Sequence, residues 1–133
     1  MNRSELREIA IKVLYQIDIL SSLKETYDIN ELIKEQIEIK NEFVEELVNG
    51  VLTHMKDIEK MANKYLNDWT IDRLSKVDKA ILEVGIYELL YTETPSIVSI
   101  NEAIELSKKY SDEKVTKMIN ACLDKIYHEN KED

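Results

Sequence analysis

The chain has 133 residues, of which 44% are hydrophobic, so it is long enough for one domain with one buried core. Its formal net charge of −9 argues against binding nucleic acid by bulk electrostatic attraction, because Lys and Arg contacts with phosphates supply most of the non-specific affinity. With two glycines and one proline the chain lacks the turn residues of a strand architecture, so the composition predicts an all-α protein.

The first three predicted helices are amphipathic and begin at residues that can cap a helix. The first is expected from about Ser4 to Leu20, with its apolar residues on one stripe. Asp28 opens the second, where an acidic residue three positions later resembles a capping box. Asn41 opens the third and longest, because apolar residues recur with helical period as far as Leu66.

The fourth and fifth segments follow closely on one another. Thr70 starts a short turn that ends at Leu74, and Ser75 caps a helix from about Lys76 to Tyr91. This helix is apolar nearly all round, whereas a surface helix has one polar face. We therefore expect it at the centre of the bundle.

The last two predicted helices lie beyond the single proline. Pro95 forbids continuation of the central helix, and Ser99 with Glu102 resembles the capping box of a sixth helix. The seventh segment is expected from about Asp112 to Tyr127, and the polar tail after about residue 128 is expected to fray. The pattern thus predicts one all-α domain of seven helical segments, without internal repeats or linkers.

The chain lacks the residue patterns of common catalytic, metal and nucleotide sites. Two isolated glycines form neither a phosphate-binding loop nor a dinucleotide fingerprint. His54 lies too far along the chain from Cys122 and His128 to form a recognisable pair of metal ligands. Cys122 falls on an apolar helical stripe, which favours a buried structural thiol over a nucleophile. We therefore expect no enzymatic activity, no metal and no cofactor.

Cysteine content and hydropathy also bear on localisation. One cysteine cannot form an internal disulfide, and the first residues include charged side chains in place of an apolar signal core. No apolar run approaches the roughly 20 residues that span a bilayer. These features predict a cytoplasmic protein with no membrane role.

One side of the first helix combines cations with an aromatic residue. Arg7, Ile11 and Tyr15 fall at i, i+4 and i+8, and Arg3 lies one turn earlier. An exposed Arg beside a Tyr suits phosphate contact with base stacking, which is how single-stranded RNA is commonly held. The alternative is that Ile11 and Tyr15 pack against a second neighbouring helix.

A second local feature is a basic island, which we define as the lysines between residues 108 and 125. This segment holds five lysines against three acidic residues: Lys108, Lys109, Lys114, Lys117 and Lys125. Asn120 lies on the same outer face of the last helix. Lysines near helix C-termini also interact favourably with the helix dipole, which is the alternative explanation for part of the island.

Four stretches, taken together and in order, resemble a known family. They are Arg7-Glu8-Ile9-Ala10 with Leu14-Tyr15-Gln16; Leu47-Val48-Asn49-Gly50-Val51; Trp69 with Arg73-Leu74, Asp78-Lys79-Ala80-Ile81-Leu82 and Tyr87-Glu88-Leu89; and Ile100-Asn101-Glu102-Ala103-Ile104-Glu105-Leu106, reached from Pro95. At this spacing the chain resembles the NusB transcription-antitermination family over nearly its whole length.

The resemblance implies a seven-helix NusB fold, with residues 1–133 forming a single RNA-binding domain and no catalytic activity. Such proteins pair with the ribosomal protein NusE, bind boxA RNA together with it, and support read-through in ribosomal RNA operons. They reach the RNA polymerase elongation complex through NusE and other Nus factors. A basic partner docking on an acidic surface also fits the negative net charge. Some family members pair with themselves, which leaves a homodimer open for this chain.

The resemblance also assigns candidate site residues by position. The residues expected at the RNA are Arg3, Arg7, Tyr15, Lys117 and Asn120. Those expected to face NusE are Asp78, Tyr87 and Glu88. The chain departs from the family pattern in having only two arginines in its N-terminal segment, Glu83 where Arg is frequent, and Ala121 where Gly is usual. The alternative function is therefore a NusB-fold protein-interaction domain with weak or lost RNA binding.

Overall fold

The computed structural model describes residues 1–130, and this part of the chain is all-helical, as predicted. It contains α1 (Arg3–Ser22), α2 (Ile29–Gln36), α3 (Glu42–Thr53), α4 (Met55–Tyr65), a 3-10 turn (Ile71–Arg73), α5 (Lys76–Tyr91), α6 (Ser96–Tyr110) and α7 (Glu113–Asn130). The predicted N-caps Asp28, Asn41 and Ser75 each accept a hydrogen bond from a backbone N–H three residues later.

The prediction that α5 is central is confirmed. It packs against α1, α3, α4, α6 and α7, and every residue from Ala80 to Leu89 is buried. One consequence is that α5 buries carboxylates as well as apolar side chains, since Glu83 and Glu88 lie within that run. None of the helices in residues 1–130 is long and apolar enough to cross a membrane.

The expected third helix is in fact two helices, which is why residues 1–130 form seven α-helices besides the short turn. The break falls at His54, which leaves helical geometry (φ −101°, ψ 15°) while its N–H still donates to the Gly50 carbonyl oxygen at 3.0 Å. Its ring stacks on Tyr91 of α5, with centroids 4.0 Å apart. The apolar period continues across the break because α3 and α4 both face α5, so the sequence pattern did not reveal it.

Two helix ends also differ from the prediction. The sixth helix begins at Ser96, because the Pro95 carbonyl accepts hydrogen bonds from the N–H groups of Val98 and Ser99, and Ser99 is an interior residue of the helix. The last helix continues past Tyr127, and Asn130 Nδ2 donates to the Tyr65 hydroxyl of α4 at 3.3 Å. The helix thus extends to the last described residue, while the fraying expected after about residue 128 stays a prediction, and residues 131–133 lie outside the described part.

The buried core explains two residues that the sequence left with alternatives. Ile11 is buried, so the packing interpretation of its position is correct. Cys122 is also buried, and its burial raises the pKa of its thiol to about 12. A thiol that stays protonated is a poor nucleophile, which confirms the structural interpretation.

Candidate nucleic-acid and partner interface

Arg7 is buried, contrary to the exposed position expected from the sequence. Only 3% of Arg7 and 1% of Glu88 is exposed, and the two side chains form a bidentate ion pair. Arg7 Nε donates to Glu88 Oε1 at 2.6 Å, and Nη2 donates to Oε2 at 2.8 Å. Arg7, which was expected to contact the RNA, and Glu88, which was expected to contact NusE, therefore bind each other.

Further polar contacts complete this buried pair. Thr94 Oγ1 donates to Glu88 Oε2 at 3.1 Å, and Arg7 Nη1 lies 3.5 Å from Glu102 Oε1 on α6. Burial by itself would lower the pKa of Arg7, but the hydrogen bond and charge of Glu88, with the charge of Glu102, outweigh it and raise that pKa. The guanidinium thus joins α1 to α5 and α6 as a permanent cation.

Arg3 remains exposed at the mouth of a cleft above this pair. Its Cζ lies 4.5 Å from the centroid of the Phe43 ring, and Arg7 Cζ lies 5.3 Å from the same centroid. The cleft has a volume of about 660 Å³ and is lined by Arg3, Arg7, Phe43, Glu46, Tyr91, Thr92, Glu93, Thr94, Pro95, Val98 and Glu102. Its three carboxylates make it a mixed-charge cleft, so Arg3 alone offers an exposed guanidinium there.

Tyr15 lies on a different exposed face of α1. It is 37% exposed and shares that face with Glu8, about two turns earlier, and with Lys12, about one turn earlier. Lys109 Nζ of α6 donates to both carboxylate oxygens of Glu8, at 3.1 and 2.8 Å, and the Tyr110 hydroxyl donates to the same carboxylate. The hydrogen bond from Lys109, followed by that from Tyr110, lowers the pKa of Glu8. This contact joins the Tyr15 face of α1 to the basic island.

Lys117 and Asn120 lie on the outer surface of α7, apart from the arginine cleft. They line a groove of about 520 Å³ between α6 and α7, together with Ile104, Lys108, Ser111, Asp112, Glu113 and Thr116. Lys117 Nζ lies 3.2 Å from Glu113 Oε1, and Lys108 Nζ lies 3.4 Å from Glu105 Oε1. Exposed pairs of this kind contribute little stability, so both lysines can exchange their partners for a phosphate.

Tyr87 is buried between α3 and α5. Its hydroxyl donates to Glu46 Oε2 at 3.4 Å, and its ring stacks against Tyr91 with centroids 5.7 Å apart. Burial, followed by the charge of Glu46, raises the pKa of Tyr87. A Cβ atom added at Gly50 would overlap the Tyr87 ring, so glycine is what allows α3 to approach α5 here.

Asp78 takes part in capping the start of α5. Its backbone N–H donates to Ser75 Oγ at 3.1 Å, and Ser75 Oγ donates back to Asp78 Oδ2 at 2.8 Å. The three residues expected to face NusE are all buried beneath the surface: Asp78, Tyr87 and Glu88. The sequence contained a signal for this arrangement, because polar residues on a helix that is apolar all round must themselves be buried and need partners.

Sequence reasoning missed other residues at the surface. Lys12 and Tyr110 are exposed beside the Glu8–Lys109 contact. Tyr110 ends α6 directly after two lysines, which is a signal the chain offered. Among residues 1–130, no group of His, Cys, Asp and Glu side chains is placed to hold a metal ion.

The fold and these surfaces define a small all-helical interaction domain with exposed basic and aromatic side chains on α1, α6 and α7. The NusB family model matches residues 4–128. The chain is 41% identical over 129 residues to transcription antitermination protein NusB of Bacillus subtilis (strain 168), covering 95% of each protein. It is 39% identical over 131 residues to that of Syntrophomonas wolfei subsp. wolfei, covering 97% of this chain and 98% of the relative. The chain belongs to the NusB family.

Solved structures support the same assignment. T. maritima NusB matches with a TM-score of 0.83 at 29% identity, covering 97% of this chain and 92% of that chain. A crystal structure of antitermination factors NusB and NusE in complex with double-stranded RNA contains a chain that matches with a TM-score of 0.79 at 31% identity. That match covers 96% of this chain and 98% of the other. The predicted NusB-type fold is therefore confirmed.

Proposed function

We propose that this chain is a non-catalytic transcription antitermination factor that binds boxA RNA together with the ribosomal protein NusE and supports read-through in ribosomal RNA operons. The observation that carries the proposal is the contact of Lys109 and Tyr110 with Glu8, which joins the Tyr15 face of α1 to the basic island. A solved relative that holds NusE and RNA supports it.

The joined surface has the chemistry that single-stranded RNA requires. Lys12, Lys109 and Lys117 offer charges to phosphates, and Tyr15 offers an exposed ring on which a base can stack. The chain as a whole is strongly acidic, so this local surface binds RNA weakly by itself. A basic partner bound nearby changes the local potential and adds its own contacts, which is why affinity depends on NusE.

The buried Arg7 has a positioning role in this proposal. Its pair with Glu88 fixes the N-terminal part of α1 on α5, and Arg3 and Tyr15 are carried by that helix. Arg7 therefore affects RNA binding by holding α1 in place, and Arg3 is the arginine that meets the RNA. Tyr87 and Asp78 have a similar indirect role toward NusE, because Tyr87 positions α3 against α5 and Asp78 caps the start of α5.

A second candidate function is a NusB-fold protein-interaction domain with weak or lost RNA binding. The observation that favours it is the burial of Arg7, whose guanidinium is used within the chain to bind Glu88. Arg3 is then the one arginine of α1 left on the surface.

Fluorescence anisotropy with labelled boxA RNA, with and without NusE, separates the two functions. We expect NusE to raise RNA affinity by about 5- to 150-fold, the usual span of coupling between two sites, and RNA to tighten the protein pair by the same factor. RNA affinity that is equal with and without NusE contradicts the shared site. Absence of boxA binding even with NusE present establishes the second candidate.

Two variants test the surface itself. We expect Tyr15→Ala to weaken RNA binding by about tenfold, because loss of one base–aromatic stack has this order of effect. Lys117→Ala should reduce the slope of log affinity against log salt concentration by about one phosphate contact. Lys60→Ala, an exposed lysine on α4, is the matched control and should change neither quantity. Wild-type affinity and salt slope in both surface variants would contradict the placement of RNA here.

A further inference from the structure

Glu83 on α5 is a buried carboxylate with one oxygen that is unpaired within the described residues. It is 4% exposed, and its Oε2 accepts no hydrogen bond from any of residues 1–130. The nearest basic residue along the helix is Lys79, one turn earlier, but its Nζ is directed to Asp72 at 3.3 Å and to Asp18 at 3.8 Å. A buried acceptor of this kind is costly unless something pairs with it.

Glu83 lies in the wall of a cavity of about 300 Å³ between α1, the α3–α4 junction and α5. Leu14, Leu52 and Met55 contribute apolar surface to the same cavity, and Asp18 and Glu59 contribute two further carboxylates. Glu59 is only partly buried, whereas Glu83 is buried. Lys79 also lines the cavity, but its Nζ is held by Asp72 and Asp18. The cavity therefore has an apolar wall, the unpaired Glu83 in its interior and Glu59 closer to solvent.

The charges around this cavity do not balance. Besides Glu83, the acidic groups that act on it are Asp18 of α1, Glu59 of α4 and Asp72 of the 3-10 turn. The basic groups are Lys79 and Lys76, and Lys76 Nζ lies 3.2 Å from Asp18. Four carboxylates against two lysines leave two uncompensated negative charges when Glu83 is ionised.

We propose that this cavity binds a small aliphatic diamine, one ammonium group pairing with Glu83 and the other with Glu59. The methylene chain between the two ammonium groups contacts the apolar wall formed by Leu14, Leu52 and Met55. An ammonium supplies the donors that Glu83 Oε2 lacks, and it replaces an uncompensated charge with a pair. The apolar wall favours an organic cation over a metal ion, and no metal-binding group of side chains occurs among residues 1–130.

Protonation of Glu83 makes this binding dependent on pH. Burial raises the pKa of Glu83, Lys79 lowers it, and the charges of Asp18, Glu59 and Asp72 raise it, so that the pKa lies at about 8. At neutral pH the empty site thus holds a proton, which the diamine must displace. Affinity should rise with pH up to about 8, as the ionised fraction of Glu83 rises, and level off above it.

The site is independent of the proposed RNA surface. The residues of α1 that line the cavity, Leu14 and Asp18 among them, lie on a different face from Glu8, Lys12 and Tyr15. Loss of diamine binding therefore leaves the boxA proposal untouched, and failure to bind boxA leaves this one untouched.

Isothermal titration with butane-1,4-diamine tests the proposal. We expect saturable binding by the wild-type chain at pH 8, weakened about tenfold or more in Glu83→Gln, because a buried charge pair loses its anion. The matched control is Glu105→Gln, an exposed carboxylate on α6 outside the cavity, which should bind as the wild type does. Glu59→Gln should bind with intermediate affinity. Butylamine, with one ammonium group, should bind more weakly than the diamine.

Two further measurements decide between a specific site and general attraction of cations. Titrations in buffers of different ionisation heat should show release of a proton at pH 7 by the wild type and none by Glu83→Gln. Magnesium chloride at matched ionic strength should not displace the diamine. The proposal is wrong if the wild type shows no saturable binding, if Glu83→Gln binds as tightly as the wild type, or if magnesium displaces the diamine fully.

Discussion

Two carboxylates of α5, Glu88 and Glu83, are buried to nearly the same extent but have opposite surroundings. Glu88 accepts two hydrogen bonds from Arg7 and one from Thr94, which cover both of its oxygens. Glu83 Oε2 has no hydrogen-bond partner among the described residues. Burial alone therefore says little about a charged residue: the same helix uses one carboxylate to hold the fold together and leaves the other open to an external cation.

The largest expected effect comes from breaking the paired carboxylate. We expect Arg7→Ala to lower the free energy of unfolding by about 3–5 kcal/mol, because it leaves Glu88 buried without its cation. Urea denaturation followed by circular dichroism measures this change. Arg3→Ala is the matched control, since Arg3 is exposed, and should change stability by less than about 0.5 kcal/mol.

A double-mutant cycle shows whether the Arg7 effect belongs to the pair. Arg7→Ala combined with Glu88→Ala should be less destabilising than the sum of the two single variants, because no unpaired charge remains. Additive losses would mean that Arg7 acts through its other contacts, such as Phe43 and Glu102. If Arg7→Ala is as stable as the wild type, the buried pair is contradicted and Arg7 is exposed, as the sequence predicted.

Ile81, an apolar residue of α5, provides a reference for the stability changes expected at the charged residues. Ile81 is almost fully buried, and we expect Ile81→Ala to cost about 2–5 kcal/mol through lost contacts and the cavity it leaves. Unlike the carboxylate variants, this loss should vary little between pH 5 and pH 9, because no charge changes. An unchanged thermal midpoint would contradict the central position of α5.

The one stabilising effect is expected at Glu83. In the unfolded chain Glu83 ionises near its ordinary value of 4.5, whereas the folded chain holds the proton up to about pH 8. Its contribution to stability is therefore lost progressively as pH rises between these two values. Glutamine cannot ionise, so Glu83→Gln should match the wild type near pH 4 and exceed its stability by up to about 5 kcal/mol at pH 9, since each pKa unit corresponds to 1.36 kcal/mol.

Urea denaturation at several pH values measures the Glu83 effect. The stability difference between Glu83→Gln and the wild type should grow from pH 4.5 to pH 8 and then stay constant. Glu105→Gln provides the baseline for removing an exposed carboxylate. A difference that is independent of pH would mean that Glu83 is ionised in the folded chain and already has a partner.

Much of the fold was predictable because helices leave local signals. The caps at Asp28, Asn41 and Ser75 and the all-round apolar pattern of α5 were correctly predicted from residues within one or two turns. The break at His54 was missed, because it keeps the apolar period on both sides. Ser99 resembled a cap, but Pro95 is the N-cap of this helix, and a proline near a helix start is itself a local signal that the capping-box pattern outweighed.

The candidate site was less predictable because its contacts are tertiary. Arg7 and Glu88 are 81 residues apart in sequence, and each had a plausible separate role at the surface. The contact of Glu8 with Lys109 spans 101 residues, so nothing in either helix pattern indicates it. Periodicity assigns a residue to a face, but the identity of the opposing face decides whether an arginine meets solvent or a buried carboxylate.

These long separations have a consequence for the order in which the protein is made. The helix that carries Arg3 and Tyr15 is synthesised first and packs on α2 and α3, but its polar partners follow much later: Glu88 comes 81 residues after Arg7, and Lys109 comes 101 residues after Glu8. During translation α1 therefore lacks its contacts with α5 and α6 until those helices have left the ribosome. The surface proposed for RNA, which combines side chains of α1, α6 and α7, is complete only when the last of these helices is in place.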